Sequence, residues 1–216
     1  MALSKERHQE LMDILERTSM RPKGAKAPEY PQEYKDYRTL CTEEIVKRTV
    51  DDYEYTFYIY RAKNRTENCP IHINIHGGGL LIGNKEFNRY FCARLCLLGY
   101  VVFSVEYRLV PDCSVYDQFS DVSTAMTFIR DNLSSYEGNP DKIYGVADSG
   151  GAYLLTNVAA MTKNKNFAKA AHTKAPDFSL NALGLISGMF YTTRFYQKRV
   201  FFPPFFFFLR RKKKKK

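Results

Sequence analysis

Two short stretches of the chain concentrate the residue types that can do chemistry. In Ala147-Asp148-Ser149-Gly150-Gly151 a serine stands between an apolar run, Lys142 to Val146, and a run with helical spacing, Gly151 to Met161. A serine at a strand-to-helix turn, with small residues two places to either side, can sit on a sharp, strained turn that exposes its hydroxyl as a nucleophile. A larger side chain at Ala147 or Gly151 would collide with the neighbouring strand and helix. The Gly150 N–H would point out of a helix amino terminus, whose partial positive charge favours a developing oxyanion. The second stretch, His76-Gly77-Gly78-Gly79, follows the apolar run Pro70 to Ile75. Consecutive glycines bring main-chain N–H groups close to a ligand without side-chain obstruction, so Gly78 and Gly79 can act as further oxyanion donors. Each such donor is worth about 10² to 10³ in rate. Taken alone, the glycine loop is equally an ordinary turn or a phosphate cradle, but no Gly-Lys-Ser/Thr follows it and Gly-x-Gly-x-x-Gly spacing is absent.

The elements that must position these stretches follow from periodicity. Residues 4–17 carry Leu11, Ile14 and Leu15 at helical spacing behind Ser4 as a cap, and Pro22, Gly24, Pro28 and Pro31 then imply an extended linker. Two β-rich runs, Thr42 to Val50 and Tyr53 to Tyr60, flank Asp51 and Asp52 as an antiparallel hairpin would. Beyond the strand Pro70 to Ile75, helices and strands alternate. A helix is expected over Lys85 to Leu97, a strand over Tyr100 to Val105 and a helix over Tyr116 to Leu133. The strand Lys142 to Val146, the helix Gly151 to Met161 and the strand Ala182 to Ser187 complete the series. Alternation of this kind predicts an α/β fold with a mostly parallel, doubly wound sheet of six strands, the first two an antiparallel edge. Both chemical stretches then lie at carboxyl ends of strands, where open α/β sheets place their ligand sites.

With 216 residues, 44% hydrophobic and 26% charged, the chain reads as one globular domain. Its net charge of +10 would suggest nucleic acid or an anionic membrane as partner. Nine basic residues and no acidic ones lie between Lys198 and Lys216, however, which leaves the body close to neutral and argues against both. The tail from Val200 to Leu209 is apolar but about half the roughly 20 residues a spanning helix needs, and Pro203 and Pro204 interrupt it, so no stable membrane insertion is expected. Five scattered cysteines, Cys41, Cys69, Cys92, Cys96 and Cys113, form no CxxC pair, and the charged amino terminus lacks the apolar core of a signal peptide. A reducing, cytoplasmic setting is therefore expected. Cys92 and Cys96 lie four apart on a helix without a second pair of metal ligands, and are read as buried structural thiols.

Taken together, the motifs resemble the α/β hydrolase family, specifically its hormone-sensitive-lipase-like carboxylesterase branch. The resemblance covers about residues 40–195. It rests on His76 to Gly79, on Tyr107-Arg108-Leu109-Val110-Pro111 and the Asp121 region, on Gly138-Asn139-Pro140-Asp141 before the strand, and on Ala147 to Gly151. It implies Ser149 as nucleophile and Gly78, Gly79 and Gly150 as oxyanion hole, with His76 and Gly77 shaping the loop. It further implies a small-molecule ester as substrate and neither metal nor organic cofactor. Residues 1–35 would be a cap helix and linker, 36–197 an incomplete hydrolase core, and 198–216 a low-complexity Phe/Lys tail.

The sequence departs from this pattern at two places. Ala147 replaces the first glycine of Gly-x-Ser-x-Gly and is still small enough for the turn. The branch carries about eight strands, with a triad acid after the seventh and a histidine after the eighth, whereas six strands are read here. His8, His72, His76 and His172 fall at none of the catalytic positions, and Asp177 is the sole acidic residue after Ser149. The triad Asp and His are thus expected to be absent from this chain, with C-terminal strands missing and activity impaired. Asp148 and Asp121 are read as structural hydrogen-bonding partners. The alternative is a non-catalytic relative that keeps the ligand site; oligomeric state is left open.

Overall fold

The computed structural model describes residues 4–17, 31–50 and 53–190. Helix α1 (Lys5–Arg17) starts directly after Ser4, whose carbonyl accepts from the His8 N–H at 2.9 Å. The side chains of Leu11 and Leu15, the Asp51-Asp52 turn and the tail from Lys198 lie outside the described residues. Helix α2 (Gln32–Leu40) begins inside the stretch read as linker, residues 1–35, and runs on into residues given no element from the sequence. Pro31 stands at its amino cap, where a missing N–H costs nothing, and Glu33 complements the helix dipole in its first turn.

Six strands form one sheet in the order β1-β2-β4-β3-β5-β6. The strands β1 (Cys41–Val50) and β2 (Tyr53–Ala62) are antiparallel, and β2 also runs antiparallel to β4 (Val101–Val105). The strands β3 (Cys69–Ile75), β4, β5 (Gly138–Asp148) and β6 (Ala182–Ile186) are mutually parallel. Apart from these boundaries, this is the expected sheet with its antiparallel edge. β5 begins four residues early because Gly138 pairs with Cys69; the register then shifts between Cys69 and Ile71 around Pro70, which has no N–H to give.

Two layers of helix close the sheet. On one face Ile71, Ile73 and Ile75 pack with Val101, Phe103 and Val105 against α4 (Val115–Asp131) and α5 (Ser149–Lys163). On the other, Val102, Tyr58 and Tyr60 pack with Cys92, Ala93 and Cys96 of α3 (Arg89–Leu97). Cys92 and Cys96 are fully buried, and burial pushes the Cys92 thiol up to about 12, as befits an inert core residue. α3 starts at Arg89 rather than Lys85 because Lys85 is drawn aside, its N–H and Nζ both bonded to Glu106. α4 opens on a reciprocal cap in which Ser114 N–H donates to Asp117 Oδ2 at 2.7 Å and Asp117 N–H to Ser114 Oγ at 3.3 Å. A short helix, α6 (Lys165–Ala170), was not legible beforehand; Asn164 Oδ1 caps it through the Phe167 N–H. Among the described residues no helix is long and apolar enough to cross a membrane, and no group of three or more His, Cys, Asp or Glu gathers as metal ligands.

Candidate active site

β3 and β5 are adjacent and parallel, with Ile75 opposite Ala147, so the loop after one and the turn after the other emerge side by side. Ser149 is the first residue of α5 and has φ +46°, in the left-handed region that non-glycine residues seldom occupy. Such a dihedral at a strand-to-helix junction is the strained turn expected of an exposed nucleophile. The serine is half-buried, and among the described residues no group hydrogen-bonds its hydroxyl.

Gly151 shows why the turn needs small residues. A Cβ there would run into the carbonyl oxygens of Ile75 and His76, so α5 can start this close to β3 only with hydrogen at that position. At Gly150 a Cβ would lie 3.0 Å from the Leu80 nitrogen and 3.1 Å from the Gly79 nitrogen. The amide nitrogens after β3 thus lie beside the first turn of α5. Gly78, Gly79 and Leu80 all have positive φ, +115°, +62° and +72°. The N–H groups of Gly78, Gly79, Leu80 and Gly150 have no protein acceptor among the described residues.

Asp148 ties the two segments together. Its Oδ1 accepts from the Gly77 N–H at 3.0 Å and from Asn88 Nδ2 at 2.8 Å. Asn88 also reaches Asn74 Oδ1 at 3.2 Å, and Asn74 donates to Ser104 Oγ at 3.1 Å, so a polar chain runs beneath the site across β3 and β4. Asn88 and Asn74 carried no signal in the sequence, because their partners are set by the tertiary fold. Asp121 is fully buried and accepts from the Arg108 N–H at 3.0 Å, from its guanidinium at 2.6 and 2.9 Å, and from Tyr55 Oη at 3.2 Å. Both aspartates are hydrogen-bonding partners that shape loops, as expected.

The histidines are dispersed. His76 Nδ1 donates to the Gly77 carbonyl at 2.8 Å, its ring stacks on Tyr107 at 4.3 Å, and the Tyr107 hydroxyl donates to the His76 carbonyl at 2.7 Å. Burial pushes its pKa down, and its buried Nε2 has no partner among the described residues. His72 lies within β3 beside Tyr100 and Tyr144, and burial pushes it down to about 4. His172 is exposed in the turn after α6, and His8 on α1 faces Asp112 at 3.4 Å. α1 itself packs Met12 and Ile14 against Leu81, Ile82 and Val110, immediately beyond the glycine loop.

A mixed, mostly parallel sheet flanked by helices, with a strained serine after the fifth strand and an amide-rich loop after the third, defines an α/β hydrolase fold. The BD-FAE family model matches residues 57–197, and the chain belongs to that family. Among curated proteins it is 31% identical over 121 residues to a versiconal hemiacetal acetate esterase of Dothistroma septosporum, covering 56% of this chain and 36% of that protein. It is 32% identical over 97 residues to esterase LipQ of Mycobacterium tuberculosis, covering 44% of this chain and 23% of that one. The chain thus spans about a quarter to a third of the length of these relatives. A crystal structure of esterase B from Lactobacillus rhamnosis superposes with a TM-score of 0.70 at 19% identity, over 88% of this chain and 60% of that one, which shows the shared fold.

Proposed function

We propose that the chain carries the nucleophile and oxyanion hole of a carboxylic ester hydrolase acting on small acyl esters. The observation that carries this reading is Ser149, held at φ +46° beside Gly150 and Gly79, whose amides have no acceptor among the described residues. In the proposed reaction Ser149 Oγ attacks the ester carbonyl carbon, and the negative oxygen that forms is held by the N–H groups of Gly78, Gly79 and Gly150. Collapse of that intermediate expels the alcohol and leaves an acyl-serine, which water then cleaves to acid and free serine. The esterase names of both relatives support this chemistry. Removal of the Ser149 proton needs a base, and no described histidine hydrogen-bonds to its hydroxyl. Without one, only the roughly 10³ to 10⁴ over water that an oxyanion hole and binding supply would be seen. In the same reading residues 1–35 act as a cap, supported by the packing of α1 on Leu81 and Val110, and 36–197 form the core. Five unpaired thiols support a cytoplasmic setting.

The test is labelling of the full chain with an alkyl fluorophosphonate, read by mass spectrometry beside hydrolysis of p-nitrophenyl butyrate. Slow labelling on Ser149 that vanishes in Ser149→Ala is expected, at the reduced rate of a serine without a base. The bare hydroxyl of Ser149 also fits a non-catalytic binding protein; saturable binding of the ester with neither labelling nor turnover would establish that reading instead.

A further inference from the structure

We propose that Leu80 supplies one more main-chain N–H to the anion cradle beside Ser149, and that Gln118 is the positioning residue that holds it there. The inference rests on the ester-hydrolase reading and extends its donor set to a residue outside the glycine motif.

Leu80 has φ +72°, a conformation that costs an L-residue about 1–2 kcal/mol. Its side chain and its carbonyl are both held. Its side chain is 1% exposed, and its carbonyl accepts from the Val110 N–H at 3.0 Å and from Gln118 Nε2 at 2.9 Å. Its own N–H has no protein acceptor among the described residues, although buried amides are almost always paired. The Leu80 nitrogen is also the nearest neighbour of a Cβ placed on Gly150, at 3.0 Å against 3.1 Å for Gly79.

Gln118 is fully buried on α4 and donates through Nε2 to two carbonyls, Leu80 at 2.9 Å and Arg108 at 2.8 Å. Arg108 is fixed in turn by Asp121, three residues along the same helix. α4 therefore clamps the loop after β3 against the loop after β4. Losing the Gln118 donor frees the Leu80 peptide to reorient and takes its N–H away from the anion.

The experiment is an NMR titration of the ¹⁵N-labelled full chain with two probes. Butane-1-boronic acid accepts an electron pair from Ser149 Oγ, whose proton passes to solvent, and becomes a tetrahedral anion; butane-1-sulfonate needs no nucleophile. The Leu80, Gly79 and Gly150 amide protons are expected to move downfield together. Gln118→Met, of similar length without a donor, should weaken boronate binding about tenfold or more and abolish the Leu80 shift while the Gly150 shift persists. Leu80→Gly, which keeps the N–H and adopts positive φ freely, should retain binding. If Gln118→Met fails to fold, Gln118→Asn, too short to reach both carbonyls, gives the same readout. Movement of Gly79 and Gly150 with a stationary Leu80 would overturn the proposal and leave the hydrolase reading standing. A Leu80 shift that survives at Gln118→Met removes the positioning role. Shifts with the sulfonate but not the boronate would keep the cradle and sink Ser149 as nucleophile; no shift with either probe sinks both.

Discussion

At Gly79, in the loop after β3, glycine answers to dihedral angle alone: it has φ +62°, and a Cβ there would meet no heavy atom within 4 Å, whereas one on Gly78 would also strike the Ile82 carbonyl oxygen. In the turn after β5 it answers to room: Gly151 has no positive φ, yet a Cβ would strike two backbone carbonyls. Each segment also holds one non-glycine residue at positive φ, Leu80 in the first and Ser149 in the second. Leu80 is braced by Val110 and Gln118, whereas Ser149 has its carbonyl bonded to the Met189 N–H at 3.4 Å and a bare hydroxyl. One segment is thus a fixed frame for amides, and the other presents a side chain at the closest approach of helix to strand.

The sharpest way to break this contrast is Gly151→Ala. Carbonyl oxygens of β3 cannot rotate aside, so α5 must move off the sheet, at a cost of about 3 kcal/mol and roughly 6–12 °C in Tm. Thermal unfolding by circular dichroism measures it. A loss below about 1 kcal/mol would show that helix and strand are not locked together.

Acid should act on the β3 side first. Burial holds His72 at about 4 when folded against its ordinary 6.5, and its Nδ1 has no partner among the described residues. The unfolded chain therefore binds the proton first, so stability is full above pH 6.5, falls as pH drops below it, and levels off near pH 4. Discounted for partial exposure, the loss is about 1–2 kcal/mol. His72→Phe should reduce the slope of Tm against pH across that window, with His76, also pushed down by burial, supplying the remainder, and an unchanged slope would assign the acid response elsewhere.

The contrast between the two segments also marks what the sequence could tell. Ser149, the glycine run and the alternation of strands with helices are local patterns, and they led to the fold and to two facing loops. Leu80, Asn88 and Gln118 were invisible, since nothing in a leucine after three glycines or an amide in mid-helix announces its partner. Asp148 meets the Gly77 N–H across 71 residues, and Gln118 meets Leu80 across 38. The helices α2 and α6 were missed for another reason: each buries a single residue, Tyr34 and Ala168, too few to show a period, and packing of those two against the body stabilises them.

If dihedral angle alone governs Gly79, then Gly79→Ala should cost only the left-handed penalty, about 1 kcal/mol, with no packing loss. Gly79→Asn should cost less, because asparagine tolerates that region. Chemical denaturation with an unchanged m-value would place the effect in the native loop rather than the denatured chain. A loss as large as that of Gly151→Ala would erase the distinction.

The smallest effect should come from Ser149→Gly. Serine at φ +46° carries a strain of about 1–2 kcal/mol that glycine does not. Glycine returns part of that gain, about 0.4–1 kcal/mol, through the larger freedom of the unfolded chain. A net stabilisation of about 0.5 kcal/mol remains by the same reasoning. Small as it is, its sign is informative, because residues selected for folding alone do not become more stable when replaced by glycine. Paired urea titrations of wild type, Ser149→Gly and Ser149→Ala resolve it: alanine keeps the strain and should match wild type. If glycine destabilises by as much as it does in an ordinary helix, about 1 kcal/mol, Ser149 is an unstrained first residue of α5. The turn would then lose its claim to hold a poised nucleophile.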